Sequence, residues 1–222
     1  CDRLHRGVDD ASRNVEAMDT FTSQALEMIL SQKARDAFDI SREPGSVRAK
    51  YGAATQLLQA RRLVEAGVKV VSLTFIGVEE GRKEACGFGG GTWDTHGNTY
   101  KCLGHLLPQL DEAIYALVTD LGERGLEQHV GVVVWGEFGR APRITANTPR
   151  KPGRNHWPQA GFALMAGGGL HMGQVVGATD AKGGLPIGQP YMPQNVLATL
   201  YHVLGIDPAT TLPDHHGRPR YL

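Results

Sequence analysis

Two short segments concentrate the side chains best suited to chemistry. The first is Trp93-Asp94-Thr95-His96-Gly97-Asn98; the second runs through Gly136-Glu137-Phe138-Gly139-Arg140 to Gly153-Arg154-Asn155-His156-Trp157-Pro158. Asp94, His96 and His156 together offer one oxygen and two imidazole nitrogens, a donor set suited to Zn²⁺ or a similar divalent ion. Glu137 is a further hard ligand that could serve a second ion. Arg140 and Arg154 carry the planar guanidinium that matches phosphate or sulfate oxygens bidentately. Each residue also has a plainer reading. Asp94 caps a helix or turn, His96 is a hydrogen-bonded loop histidine, and His156 stacks on Trp157. Glu137 pairs with Arg140 or Arg143, and the two arginines pair with loop carboxylates. Gly167-Gly168-Gly169 reads as a tight turn rather than a phosphate cradle, and His215-His216 as a surface pair.

The surrounding elements must bring these segments together. Apolar residues at three- and four-residue steps predict helices over 9–40, 49–66 and 103–124, with a last helix over 195–204 behind Pro193. Pro44-Gly45, Gly67, Gly125 and Gly205 supply the stops. Short apolar runs predict buried strands over 68–75, 130–135 and 162–166, with an edge strand over 174–177. Long polar loops fill 77–99 and 136–159, and 207–222 reads as an ordered tail. Helices alternating with buried strands predict an α/β layered domain with a largely parallel sheet. Ligands then bind at the carboxyl ends of its strands, where both segments would lie.

Composition narrows the function classes. With 23 basic and 23 acidic residues the 222-residue chain has no formal net charge. That argues against nucleic-acid binding and against adhesion to an anionic membrane. No apolar run approaches the ~18 residues of a membrane span. The sequence opens at Cys1, as a processed or cut chain does, and as a mature lipoprotein would. Cys86 and Cys102 bracket the Asp94 segment. In an oxidising compartment they could pair and restrain it by roughly 3 kcal/mol; two free thiols are the alternative.

Taken in order, the motifs carry a resemblance. They are Trp93 to Asn98, Gly136 to Arg140 with Pro142, Gly153 to Pro158, then Gly167-Gly168-Gly169 with Gly173-Gln174-Val175, Gly177 and Thr179-Asp180, and last Tyr201 to Pro208. The series closely resembles the bacterial domain of unknown function 1501, from about residue 49 onward. That family is placed with the sulfatases in the alkaline phosphatase-like superfamily. The resemblance implies a three-layer α/β/α sandwich with a mostly parallel sheet, here the C-terminal part of a longer single domain lacking its N-terminal strand or strands. It implies two divalent ions (Zn, Mn, Mg or Ca) at the strand ends. Asp94, His96 and His156 look like ligands of the first ion, although the superfamily spaces its Asp and His by three residues and this chain by Thr95 alone. Glu137 stands where the second ion's Asp would be, with Phe138 in place of a His. Arg140 and Arg154 would take the substrate oxyanion.

The nucleophile and a twin-arginine export signal would lie upstream; Cys1 lacks the context of a formylglycine site. The implied activity is hydrolysis of a phosphate or sulfate ester, on a small molecule or a polysaccharide, by an exported protein. The rivals are a non-catalytic secreted or surface protein that keeps the fold and binds a carbohydrate or partner, and a domain whose metal is purely structural.

Overall fold

The computed structural model describes residues 19–20, 22–23, 26, 31–86, 93–146 and 152–221. The chain divides into two compact units, Cys1–Leu73 and Thr74–Leu222.

The first unit is helical. Helix α1 (Gln32–Phe38) starts where the Ser31 hydroxyl accepts the Ala34 amide at 3.0 Å, so the long predicted helix is interrupted at that cap. Much of 9–30 lies outside the described residues, and those described within it are helical. The predicted 49–66 helix is two elements, α2 (Gly45–Tyr51) and α3 (Thr55–Glu65). Gly52 separates them at φ 50°, a conformation that a side chain disfavours. Leu57 and Leu58 are buried with Ala34, Ala37, Tyr51 and Ala54. Arg61 is also fully buried, its guanidinium 3.0 Å from Glu43 and close to Glu65. A buried charge persists only when it is paired in this way.

The second unit carries α4 (Arg82–Cys86), α5 (Thr99–Glu123), β1 (Gly131–Trp135), β2 (Gly139–Arg140), β3 (His156–Trp157) and β4 (Ala163–Gly167). The small hairpin β5 (Ala178–Thr179) and β6 (Pro186–Ile187) follows, then α6 (Pro193–Val203) and the hairpin β7 (Thr211–Pro213) and β8 (Pro219–Tyr221).

The sandwich and its parallel sheet are not found. Every sheet among the described residues is two-stranded and antiparallel. The reason lies in the connections. Parallel neighbours need a crossover, usually a helix, whereas no described residue between β1 and β4 is helical. The chain instead folds back on itself. β1 pairs with β4 from Gly131↔Gly167 to Trp135↔Ala163, β2 with β3 as Arg140↔His156, and Thr145 bridges Gly153. These pairings keep nearly one register and form a single long ribbon whose far end returns at Gly153. The predicted strands 130–135 and 162–166 are therefore present, but as the base of that ribbon and, Ala166 apart, part-buried or exposed rather than buried. Residues 68–75 and 174–177 join no ladder among the described residues, and the ordered tail predicted with little regular structure carries the short strands β7 and β8.

Helix α5 begins four residues earlier than its apolar stripe implies, directly after Asn98. Its Cys102 is joined to Cys86 by a disulfide, so the pairing is present. The bridge lies in a buried cluster with Ala85 and Leu106, against which Trp93 packs. Helix α6 starts on Pro193 as predicted, where the missing N–H costs nothing. No described helix is long and apolar enough to cross a membrane.

Candidate metal centre

The disulfide cluster fixes the start of the first segment. The Trp93 indole N–H donates to the Phe75 carbonyl at 2.6 Å, and the next residue is Asp94. The segment's end is fixed by α5. Asn98 takes a left-handed conformation (φ 54°), which Asn tolerates better than most residues. Thr99 then turns back, its hydroxyl donating to the Thr95 carbonyl at 2.8 Å. The ribbon docks on this loop through its backbone. Arg154 N–H donates to Thr95 O, and Thr99 N–H to Pro152 O, both at 3.0 Å.

Two glycines permit that approach. A Cβ on Gly153 would stand 2.0 Å from the His96 carbonyl oxygen, and one on Gly139 would stand 1.8 Å from the Ala160 carbonyl oxygen. No side chain fits either place, and the obstacle is backbone in both cases.

The docking brings Asp94, His96 and His156 together. His96 Nε2 and His156 Nε2 are 3.0 Å apart, His156 Nε2 lies 3.1 Å from Asp94 Oδ1, and His96 Nε2 lies 3.2 Å from the same oxygen. The three atoms make a nearly equilateral triangle. Metal–ligand bonds of about 2.0–2.1 Å require donor–donor edges of roughly 2.9–3.4 Å in octahedral to tetrahedral geometry. The observed edges lie in that interval, so the spacing of the three donors suits a divalent ion. The side chains are 38–48% exposed, which leaves the triangle facing solvent.

Arg140 holds the carboxylate. Its Nη2 donates to Asp94 Oδ1 at 2.7 Å, and its Nη1 to the Arg154 carbonyl at 3.3 Å. Partial burial pushes the Asp94 carboxyl up, but the hydrogen bonds from Arg140 and His156 outweigh it and hold the group below its usual range. Asp94 is therefore a ready anionic donor. Arg154 faces the ribbon: its Nε donates to Ala141 O at 2.6 Å and its Nη2 to Arg140 O at 2.8 Å. Glu137 is exposed and stands outside the convergent group. His156 packs at a tilt against Phe138, with ring centroids 4.5 Å apart, rather than stacking on Trp157. The Trp157 indole instead donates to the Gly184 carbonyl at 2.6 Å, tying β3 to the turn between β5 and β6. A shallow groove lined by Asn98, Tyr100, Lys101 and Pro152 opens on the same two segments.

Sequence reasoning missed Asn155, whose Oδ1 lies 3.3 Å from His96 Nδ1. Its only signal was its place beside His156.

A family description, protein of unknown function DUF1501, matches residues 2–222. The chain belongs to the DUF1501 family. The match takes in both segments of the site, so the donor triangle lies wholly within the family's own region. No curated protein and no solved structure matches the chain.

Proposed function

We propose that this DUF1501 chain is a metal-dependent hydrolase-like domain acting on phosphate or sulfate esters. The observation that carries the reading is the triangle of Asp94 Oδ1, His96 Nε2 and His156 Nε2 with edges of 3.0–3.2 Å. Three protein donors with an open, solvent-facing side are the pattern of a catalytic rather than a closed structural site. A bound divalent ion supplies Lewis-acid polarisation of an ester oxygen and a more acidic bound water. The chain's own groups do the rest. Arg140 keeps Asp94 ionised and aimed, and a guanidinium has five N–H donors, so two bonds leave others to meet an oxyanion. The remainder of a small-molecule or polysaccharide ester would lie over the solvent-facing side of the triangle.

Kinship with the sulfatases and alkaline phosphatases is supported by the donor set and not by the sheet. Export is supported by the Cys86–Cys102 disulfide, since such bonds persist in oxidising compartments. The position of Phe138 against His156 favours a second reading, a secreted binding protein with one ion and no turnover.

Turnover of a generic aryl phosphate and an aryl sulfate, with Zn²⁺, Mn²⁺, Mg²⁺ or Ca²⁺ added in turn, separates the two. Hydrolysis abolished by Asp94→Ala and His156→Ala supports the enzyme. Metal binding without hydrolysis, including in any longer form of the protein, leaves the binding reading.

A further inference from the structure

We infer that Asn155 is a positioning residue that sets the tautomer of His96 for metal binding; the inference rests on the metal-centre reading above. An imidazole ligates through the nitrogen that carries no proton, so its other nitrogen must keep one and needs an acceptor. His96 points Nε2 into the donor triangle, 3.0 Å from His156 Nε2 and 3.2 Å from Asp94 Oδ1. Its opposite nitrogen, Nδ1, faces Asn155 Oδ1 at 3.3 Å. An amide oxygen accepts and never donates, so this contact favours the proton on Nδ1 and leaves Nε2 bare.

The backbone makes the arrangement specific. The amide of Ala141 donates to the Asn155 carbonyl at 2.9 Å, and Arg154 N–H donates to Thr95 O at 3.0 Å. Asn155 is thus pinned to both the ribbon and the loop that carries His96. Its side chain is exposed, so packing does not account for its presence. Asn155 lies in the ribbon between the Thr145–Gly153 bridge and β3, directly before His156. Both side chains thereby reach the same histidine, His156 at Nε2 and Asn155 at Nδ1. The dipeptide Asn155-His156 then does two jobs: His156 donates to the ion and Asn155 orients the other imidazole.

The test has two arms on the full 222-residue chain. The first is Zn²⁺ affinity by competition with a chromophoric chelator, for the unsubstituted chain, Asn155→Ala and Asn155→Asp. Loss of an outer-shell partner lowers metal affinity by about 10- to 100-fold, and that is the loss expected for Asn155→Ala. Asn155→Asp keeps an acceptor oxygen and restores affinity to within a few-fold. The second arm needs no metal. Long-range ¹⁵N–¹H correlation spectra of the metal-free chain assign the His96 tautomer, expected as Nδ1–H in the unsubstituted protein and mixed in Asn155→Ala. Asn155→Ala binding Zn²⁺ as tightly as the parent, with the His96 tautomer unchanged, overturns the inference. Should the parent bind no divalent ion, the metal reading fails on its own, and the tautomer spectra still decide the role of Asn155.

Discussion

Arg140 and His156 face each other in register across the β2–β3 ladder, and both reach the same atom, Asp94 Oδ1, at 2.7 and 3.1 Å. A cation and an imidazole on neighbouring strands thus close on one carboxylate oxygen from a separate loop. The ribbon sets the spacing, the backbone bonds at Thr95 and Thr99 set the depth, and the donor triangle is a consequence of how the two segments dock.

Gly153→Ala tests that docking. The added methyl would meet the His96 carbonyl at 2.0 Å, so ribbon and loop must part. Overpacking of this kind costs about 1–3 kcal/mol. The expected outcome is a lower melting temperature together with at least a tenfold weaker metal affinity. Gly104→Ala is the control: it lies in α5 with nothing within 4 Å of the added carbon, and helix propensity predicts a gain of about 0.5–1 kcal/mol. Thermal unfolding and chelator competition check both.

Breaking the Cys86–Cys102 bridge should loosen the Asp94 loop from the other side. The cysteines are 16 residues apart, and opening a loop of that size costs roughly 3 kcal/mol of stability. The double Cys→Ser variant is expected to unfold at lower urea and to bind metal more weakly. Thiol counting under denaturing conditions should find Cys86 and Cys102 unreactive until reduced, and a count of three free thiols would contradict the bridge.

The helical unit offers a separate test. Glu43 is buried and pairs with the fully buried Arg61 and with Arg62. Removing Glu43 leaves Arg61 with Glu65 and takes from the part-buried Arg62 its carboxylate, so the cost should approach the about 3–5 kcal/mol of a broken buried pair. Glu43→Ala should therefore be strongly destabilising by urea denaturation monitored by circular dichroism. A change within about 0.5 kcal/mol, the size usual for surface substitutions, would show that the pair contributes little.

Asp180 gives a pH dependence with a definite sign. The Gly184 amide donates to its carboxylate at 2.8 Å and the Lys182 amide at 3.0 Å; the Gly184 bond is the largest influence, and together these bonds hold the carboxyl below its usual value. A carboxyl whose folded value is depressed contributes stability that is complete above the unfolded value of about 4 and is lost as pH falls through the folded value. Exchange protection of the Gly184 and Lys182 amides should therefore persist at neutral pH and fade only in acid below that value. Asp180→Asn should remove the dependence.

Asp94, His96 and His156 were legible as candidates from their donor types and from the motif series that carries the family resemblance, and the structure brings the three together. The helices at 103–124 and 195–204 were legible from their apolar period and their Gly and Pro stops. The sheet was not. Val132, Val133 and Val134 read equally well as a parallel core strand or as the base of a hairpin, since period and composition do not encode the partner. What decides is the return path through 136–162, and a polar stretch without helical period gave no sign that β2, β3 and the Thr145–Gly153 bridge would zip it together. Residues 68–75 are β-branched and apolar yet join no ladder among the described residues, so local propensity alone did not decide their structure. The role of Asn155 was hidden for another reason: an orienting contact depends on a 3.3 Å approach between loops 59 residues apart.

The most direct test of the metal centre is the metal content of the purified, folded chain by native mass spectrometry, beside His156→Ala. The account predicts one divalent ion per chain in the parent and its loss in the variant, with both proteins retaining the same circular dichroism. A folded parent that takes up no divalent ion when supplied with it, or a variant that keeps the ion at full occupancy, would contradict the assignment of Asp94, His96 and His156 as its ligands.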